Sequence, residues 1–108
     1  MLYELRHYIP VAGKEENILN RFKNHTFQIF RRVGIKVSDF WVEANGSGHL
    51  WYTVEWDTES QMEATWNAFR SDAEWIAARD ESEKEGPIVE KINVILLKKF
   101  EHPLLENQ

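Results

Sequence analysis

The first eight residues, Met1-Leu2-Tyr3-Glu4-Leu5-Arg6-His7-Tyr8, alternate in the period of two that is typical of a β-strand. This alternation divides the stretch into two sides, Tyr3, Leu5 and His7 on one and Leu2, Glu4, Arg6 and Tyr8 on the other. The second side carries an acid, a base and a phenol in one row. We therefore treat that row as the first candidate for a functional site.

The composition indicates one folded domain and excludes several classes of function. With 108 residues, 43% of them hydrophobic, we predict a single domain over residues 1–101 and a polar tail over 102–108. A net charge of −5 argues against a nucleic-acid partner, and no apolar segment is long enough to span a membrane. The absence of cysteine excludes thiolate nucleophiles and cysteine-based zinc sites. Because residues 1–10 contain no apolar leader, a cytoplasmic location is expected.

Periodicity and turn residues divide the rest of the chain into helices and three further strands. The expected elements are a helix over 15–33 that stops at Gly34, strands 35–43 and 49–56 around the turn 45–48, a helix from about Thr58, a short helix capped by Ser71-Asp72, and a strand over 88–100. The last strand is apolar on both faces, so we expect both faces to be covered.

This order predicts an α+β protein with a ferredoxin-like βαββαβ fold and a four-stranded antiparallel sheet, in which the first strand lies between the third and fourth. The more apolar side of the sheet is expected to face the helices and consists of Leu5, Tyr52, Val54 and Trp56. The other side carries Tyr8, Trp41 and Trp51. An open aromatic patch of that kind usually marks an interface, so we expect a second copy of the chain to cover it.

Several short motifs, in a fixed order over about residues 1–100, resemble the NIPSNAP domain. The start Tyr3-Glu4-Leu5-Arg6-His7-Tyr8 is similar to the family's Y-E-L-R-x-Y, residues 10–14 resemble its P-G-K turn with two residues inserted, and Asp72-Ala73-Glu74-Trp75 resembles D-P-E-W. Other positions that look like the family's are His25, Phe40-Trp41 and Trp56-Asp57. The departures are Ala73 in place of proline, Val37 or Ser38 where glycine is common, and a last strand ending in Lys98-Lys99-Phe100.

The resemblance implies a ferredoxin-like sheet that pairs with a second copy to form a dimeric α/β barrel, the superfamily to which NIPSNAP domains belong. This agrees with the open aromatic face expected from the sequence pattern. The resemblance implies no particular reaction, because the family has no common established one. Other members of the superfamily include cofactor-independent monooxygenases, dehydratases and haem-dependent enzymes, and these share only the fold.

We expect a small-molecule-binding domain of unassigned substrate, with a pocket formed by Glu4, Arg6, Tyr8, His25, Trp41, Trp51, Thr53 and Glu55. In its enzymatic version Arg6 orients a carboxylate or enolate, and a glutamate desolvated against Trp51 acts as a general base for cofactor-independent proton abstraction or oxygenation. The alternative is a non-catalytic homodimeric interaction or scaffold module in which Glu4, Arg6 and Glu55 form a structural network. The sequence leaves open whether the protein is an enzyme.

Neither a cofactor nor a metal is expected. The histidines His7, His25, His49 and His102 show no ligand spacing such as H-x-x-x-H. The expected partners are a second copy of the chain and a small molecule, without nucleic acid or membrane.

Overall fold

In a computed structural model, the chain forms one four-stranded sheet with short helices, and the structure describes residues 1–106. The strands are β1 (Leu2–Pro10), β2 (Lys36–Val42), β3 (Leu50–Trp56) and β4 (Val89–Leu97). The helical segments are α1 (Glu15–Arg21), a π-helical turn (Phe22–Thr26), α2 (Phe27–Val33), α3 (Glu59–Arg70), α4 (Ala73–Ser82) and α5 (Pro103–Glu106). Residues 107–108 of the predicted tail lie outside the described residues. Within 1–106, no helix has the length and apolar character needed to cross a membrane.

The strand order β2-β3-β1-β4, with antiparallel neighbours throughout, confirms the predicted α+β ferredoxin-like fold. As predicted, β1 lies in the middle of the sheet, between β3 and β4. Its register pairs Leu5 with Thr53 and Arg6 with Tyr52. Directly opposed residues point to the same face, so Arg6 shares the helix side of the sheet with Tyr52.

Two of the predicted side-chain directions are wrong. Leu5, expected toward the helices, lies on the open side of the sheet with Thr53, Trp41 and Trp51. Tyr8, expected on the open side, is buried on the helix side. Hydrophobicity does not identify the buried side of β1, because this strand is polar on both sides and its buried polar groups are satisfied by partners from other elements.

The helix side of the sheet carries an aromatic core. Its buried rings are Tyr8, Phe22, Phe30, Tyr52, Trp56, Trp66 and Phe69. Most of these rings meet at steep angles, such as Phe30 and Trp66 with centroids 5.7 Å apart and planes at 80°. Edge-to-face contact of this kind adds to the stabilisation from burial alone.

The predicted helix over 15–33 is present, but a π-helical turn interrupts it. The buried residues Ile18, Phe22, Thr26 and Phe30 recur at intervals of four, which would drift around a regular helix of 3.6 residues per turn. The wider π turn over Phe22–Thr26 keeps these residues on the sheet side, and the Thr26 hydroxyl donates to the Arg21 carbonyl oxygen at 3.2 Å.

The ends of the helices follow the predicted capping residues. Gly34, with φ of 97°, ends α2 in the left-handed conformation that glycine adopts at little cost. Thr58 caps α3 by accepting from the Gln61 amide, and Asp72 caps α4 by accepting from the Trp75 amide.

A bulge in β2 changes the predicted alternation of that strand. Val37 pairs with Val54 and Asp39 with Thr53, so Ser38 is an extra residue without an opposite partner. A regular strand over 35–43 would place Val37 on the same side as Asp39 and Trp41, but the alternation breaks at Ser38 and puts Val37 on the opposite side. The bulge lets both Val37 and Phe40 join the core.

The apolar edge strand β4 is uncovered in the single chain, contrary to the prediction that both of its faces are covered. Ile92, Val94, Ile95, Leu96 and Leu97 are 40–51% exposed. Of the described β4 residues, Val89 at its start packs against the core. The helices lie over the other three strands, which leaves the apolar side chains of β4 exposed in the single chain.

One buried carboxylate joins the sheet to the helices. Glu4 Oε1 accepts hydrogen bonds from the indole nitrogens of Trp56, at 2.9 Å, and Trp66, at 2.7 Å. Its Oε2 accepts from Arg6 Nη1 at 2.9 Å. Glu4 thereby holds β1, β3 and α3 at one point inside the core.

We expect Glu4→Gln to lower the free energy of unfolding by about 2–4 kcal/mol, because the partly buried Arg6 loses its counter-charge and an amide cannot accept all three bonds. Urea unfolding followed by tryptophan fluorescence measures the loss. The matched control is Glu74→Gln, whose carboxylate forms an exposed pair with Arg32 and should change stability by less than about 0.5 kcal/mol. Equal effects of the two substitutions would contradict the role assigned to Glu4.

Candidate functional site

A cavity of about 170 Å³ lies between the helix side of the sheet and the helices, and we call it the arginine cavity. Its polar lining includes Arg6, Tyr8, Arg21, Thr26 and Arg70. Its walls are mainly aromatic and include Phe22, Phe30, Trp66, Phe69 and Trp75. The cavity thus combines several positive charges with flat apolar walls.

Arg6 is held in this cavity by partners on β1, β3 and α3. Its Nε donates to the Tyr52 hydroxyl at 2.9 Å, its Nη1 to Glu4, and its Nη2 to the Tyr8 hydroxyl at 3.4 Å. The guanidinium carbon also lies 4.3 Å from the centre of the Trp66 ring, a cation–π contact. A guanidinium has five N–H groups, and the three bonds of Arg6 leave two of them without an acceptor among the described residues.

The guanidinium group of Arg6 stays protonated and positively charged. Burial alone lowers the pKa of the guanidinium, but Tyr52, Tyr8 and Glu4 outweigh burial and raise the pKa above its ordinary value. Arg6 is therefore a permanent cation in the core.

The phenols of Tyr8 and Tyr52 lie 2.9 Å apart and form a hydrogen-bonded pair. Burial, followed by the neighbouring Tyr8, raises the pKa of Tyr52 well above its ordinary value, although Arg6 opposes the shift. Tyr52 is therefore neutral at physiological pH and can donate to Tyr8 while it accepts from Arg6. In that arrangement the hydroxyl hydrogen of Tyr8, which lines the cavity, is available to another acceptor.

Arg21 is the buried arginine of the cavity, and its hydrogen-bonding groups are incompletely satisfied. It is 7% exposed, and its Nη1 donates to Ser82 Oγ at 3.1 Å and to Glu83 Oε2 at 3.3 Å. Its buried Nε has no hydrogen-bond partner among the described residues. Burial lowers the pKa of Arg21, and Glu83 offsets only part of that effect. A buried N–H without an acceptor is rare in folded proteins and calls for an explanation.

The structure separates the eight residues of the predicted pocket into three places. Glu4, Arg6 and Tyr8 lie on the helix side of the sheet, and of these Arg6 and Tyr8 line the arginine cavity. The open side of the sheet carries Trp41, Trp51, Thr53 and Glu55. His25 is exposed in a different groove along the helices.

The predicted network of Glu4, Arg6 and Glu55 forms only in part. Glu4 and Arg6 are paired, whereas Glu55 lies on the opposite side of the sheet and pairs with Lys36 at 3.4 Å. The cause is the parity of the strands: Glu55 is opposite Tyr3, and odd-numbered residues of β1 face away from the helices.

Arg21 and Tyr52 are site residues that the sequence reading did not identify as such. Arg21 directly precedes Phe22 and follows Ile18 by three positions, so it lies on the buried stripe of the helix. A charged residue on such a stripe was the available signal, because a buried charge requires a partner or a function.

On the open side of the sheet, His7, Glu43 and His49 converge at the end of β1 and the β2–β3 turn. His7 Nε2 lies 3.0 Å from His49 Nδ1, and Glu43 Oε2 lies 3.9 Å from the first and 3.8 Å from the second. We call these three residues the His-Glu cluster; among the described residues they are the group whose ligand atoms are close enough together to hold a metal ion. The linear spacing of the histidines did not lead us to expect such a site, but antiparallel pairing joins residues that are far apart in the chain.

Trp51 supports this cluster from two sides. Its ring stacks on His7 with centroids 3.9 Å apart, and its indole nitrogen donates to Glu43 Oε2 at 2.7 Å. The bonds from Trp51 and Ser47 lower the pKa of the Glu43 carboxyl. Burial and the neighbouring His49 lower the pKa of His7, although Glu43 opposes the shift.

Comparison with known proteins identifies relatives of this chain. A NIPSNAP family model matches residues 3–102. The chain is similar in structure to an uncharacterized NIPSNAP domain protein from Burkholderia xenovorans, with 21% identity, TM-score 0.78, and coverage of 93% of this chain and 95% of the other. A NIPSNAP family protein from Agrobacterium tumefaciens has 15% identity and TM-score 0.81, with coverage of 95% and 97%. A putative antibiotic biosynthesis monooxygenase from Nitrosomonas europaea has 14% identity and TM-score 0.64, with coverage of 94% and 100%. A search of the curated proteins finds no match.

The raised pKa of Tyr52 predicts a loss of stability at alkaline pH. An unfolded tyrosine ionises near pH 10, so the folded chain keeps a proton that the unfolded chain releases above that pH. We expect the contribution of Tyr52 to the free energy of unfolding to be fully present below about pH 10 and to decline as the pH rises further. Urea unfolding at a series of alkaline pH values measures the decline, and Tyr52→Phe should make it shallower. An equally steep decline in the variant would contradict the assignment.

Proposed function

Because this chain belongs to the NIPSNAP family and encloses a cavity lined by arginines and aromatic rings, we propose that it binds a small, flat organic anion in the arginine cavity. The observation that carries the proposal is the buried Nε of Arg21, which has no acceptor among the described residues and belongs to a residue that lines the cavity.

The charge of the lining favours an anion. Arg6, Arg21 and Arg70 contribute positive charge, and the described lining residues include no acid. Glu4 lies behind the cavity, and its oxygens already accept bonds from Trp56, Trp66 and Arg6. The groups left to receive an anion are all donors: two N–H groups of Arg6, the Nε of Arg21 and the hydroxyl of Tyr8. Charge-assisted bonds from such donors suit a carboxylate or enolate oxygen.

The walls of the cavity favour a flat ligand. Trp66 and Trp75 stand beside the guanidinium groups of Arg6 and Arg21, at 4.3 Å and 4.9 Å from their ring centres. Aromatic walls with a few polar groups that fix orientation are the usual construction of a small-molecule site. An aromatic or conjugated carboxylate satisfies both the walls and the donors.

The cavity favours stabilisation of an anion over removal of a proton. Proton abstraction by a glutamate, one version of the predicted enzyme, needs a carboxylate that faces the ligand, and the described lining offers none. Stabilisation of an enolate by Arg6 and Tyr8 is the chemistry that this donor set supports. Oxygenation rests on likeness of fold to the Nitrosomonas protein and adds no residue to the proposal.

We also propose that a second copy of the chain covers the open side of the sheet. Trp41 is 50% exposed there, next to a shallow apolar groove that includes Leu5, Trp51 and Leu97. The exposed strand β4 borders the same face. Exposed apolar area of this extent is unusual for a chain that works alone. If the cavity binds no anion, this homodimer is the alternative function, a scaffold module. A cytoplasmic location stays a prediction.

Titration with benzoate, followed by tryptophan fluorescence, tests the anion proposal. We expect benzoate to bind and its neutral isostere benzamide to bind more weakly, because only the anion can pair with the arginines. Arg21→Met should weaken benzoate binding about tenfold or more. Arg79→Met is the matched control, since Arg79 pairs with Asp80 on the exposed side of α4 and should leave binding unchanged.

Equal affinity for benzoate and benzamide would overturn the proposal, and so would unchanged binding in Arg21→Met. Urea unfolding of each variant separates a loss of binding from a loss of folding. Because the Glu4–Arg6 pair stabilises the core under either function, substitutions there do not separate the two functions. Under the scaffold alternative the unaltered dimer binds neither benzoate nor benzamide, and under the anion proposal it binds benzoate.

For the dimer we expect light scattering on a size-exclusion column to give twice the mass of one chain. Trp41→Glu should shift the protein toward monomer, because a buried unpaired charge at the interface is costly. Ala64→Glu adds the same charge on the exposed outer side of α3 and should leave the dimer intact. Dissociation by both substitutions, or by neither, would argue against the open side as the interface.

A further inference from the structure

We propose that the His-Glu cluster on the open side of the sheet, His7, Glu43 and His49, binds one divalent transition-metal ion. The cluster lies on the opposite side of the sheet from the arginine cavity, so this site is independent of the proposed anion function. Two imidazoles and one carboxylate are a donor set that suits first-row ions such as Zn²⁺ and Fe²⁺.

The distances between the donor atoms are close to those of a formed site. Two atoms that are each about 2.1 Å from one ion lie roughly 3.0–3.4 Å apart at octahedral or tetrahedral angles. The two imidazole nitrogens are already 3.0 Å apart. The carboxylate oxygen is 3.8 Å from His49 and 3.9 Å from His7, so a movement of about half an ångström brings it to the distance that an ion requires.

Neighbouring side chains hold the three ligands in this arrangement. Glu43 accepts from Trp51 at one oxygen and from Ser47, at 2.9 Å, at the other. The Asn93 side-chain amide lies 3.2 Å from His7 Nδ1, the ring nitrogen that points away from the cluster. Partners of this kind orient the ligands of metal sites and fix the tautomer of a ligating histidine.

Binding of an ion here needs no net loss of a proton from the two histidines. With the Asn93 amide donating to His7 Nδ1, the proton of His7 is on Nε2, where it is shared with His49 Nδ1. When an ion takes both of these nitrogens, the proton of His7 moves to Nδ1, and Asn93 turns its amide so that its oxygen accepts. One N–H···N bond is exchanged for two bonds to the metal.

The site is open to solvent on one side. The side chains of His7, Glu43 and His49 are 14%, 27% and 29% exposed, so an ion can enter without unfolding the sheet. Three protein ligands leave at least one position for water or another small ligand. Glu43 and Trp51 also line the shallow apolar groove that we propose as the dimer interface, so the open position lies beside that interface.

The experiment is titration of the untagged full chain with ZnCl₂ by isothermal calorimetry, followed by titration with CoCl₂ by visible absorption. We expect one Zn²⁺ per chain and, for Co²⁺, the absorption bands of nitrogen and oxygen ligation. His49→Gln and Glu43→Gln should each weaken Zn²⁺ binding about 100-fold, and Trp51→Phe, which removes a bond to Glu43, about tenfold. The matched control is His25→Gln, an exposed histidine outside the cluster, which should leave the affinity unchanged.

Circular dichroism without metal establishes that each variant is folded, and the two ligand substitutions in separate variants keep the test valid if one of them fails to fold. Absence of Zn²⁺ binding by the unaltered chain would overturn the proposal. Equal loss of affinity in His25→Gln and His49→Gln would also overturn it, because binding would then be non-specific. Benzoate binding that survives in His49→Gln shows that the metal site and the arginine cavity are independent of each other.

Discussion

The burial of the Glu4 carboxylate is the constraint on which much of this structure depends. A carboxylate in an aromatic core is tolerable only when its oxygens are fully occupied, and here two indoles and one guanidinium occupy them. Each partner comes from a different part of the chain, so the charge fixes the position of α3 over the sheet and the direction of Arg6. The arginine cavity is the space that remains beside this anchored group.

Much of the fold was predictable from the sequence, because the order of elements, the capping residues and the central place of β1 follow from local patterns and a known topology. The bulge at Ser38 and the π turn were not, since each inserts one residue to keep aromatic side chains in the core, and only the packing reveals that need. The hydrophobic alternation of β1 also did not show which of its two sides is buried. Glu4 and Tyr8 are polar, and they are buried because other residues satisfy their hydrogen-bonding groups.

The candidate sites were predictable only in part, because contacts between distant parts of the chain bring their residues together. Arg6 and Tyr8 were predictable as site residues, but the register of β1 and β3 places them on the opposite side of the sheet from Trp51 and Glu55. The His-Glu cluster escaped because linear spacing is a poor guide on a sheet, where His7 and His49 come from different strands and Glu43 from the turn region. One central strand thus supplies Arg6 to one side and His7 to the other. Because Arg6 and His7 are consecutive residues of one strand, a shift of β1 would disturb both sites together.

The uncovered strand β4 has a consequence for how the single chain behaves in solution. Its apolar stretch lies at the edge of the sheet, with a row of backbone groups that no neighbouring strand pairs. Such an edge is a template for any extended segment, including the same stretch of another molecule of this chain. Charged residues stand only at its two ends, Glu90 and Lys91 before the stretch and Lys98 and Lys99 after it, where they act as gatekeepers against growth of a fibrillar sheet. A single chain in solution is therefore open to aggregation through this edge.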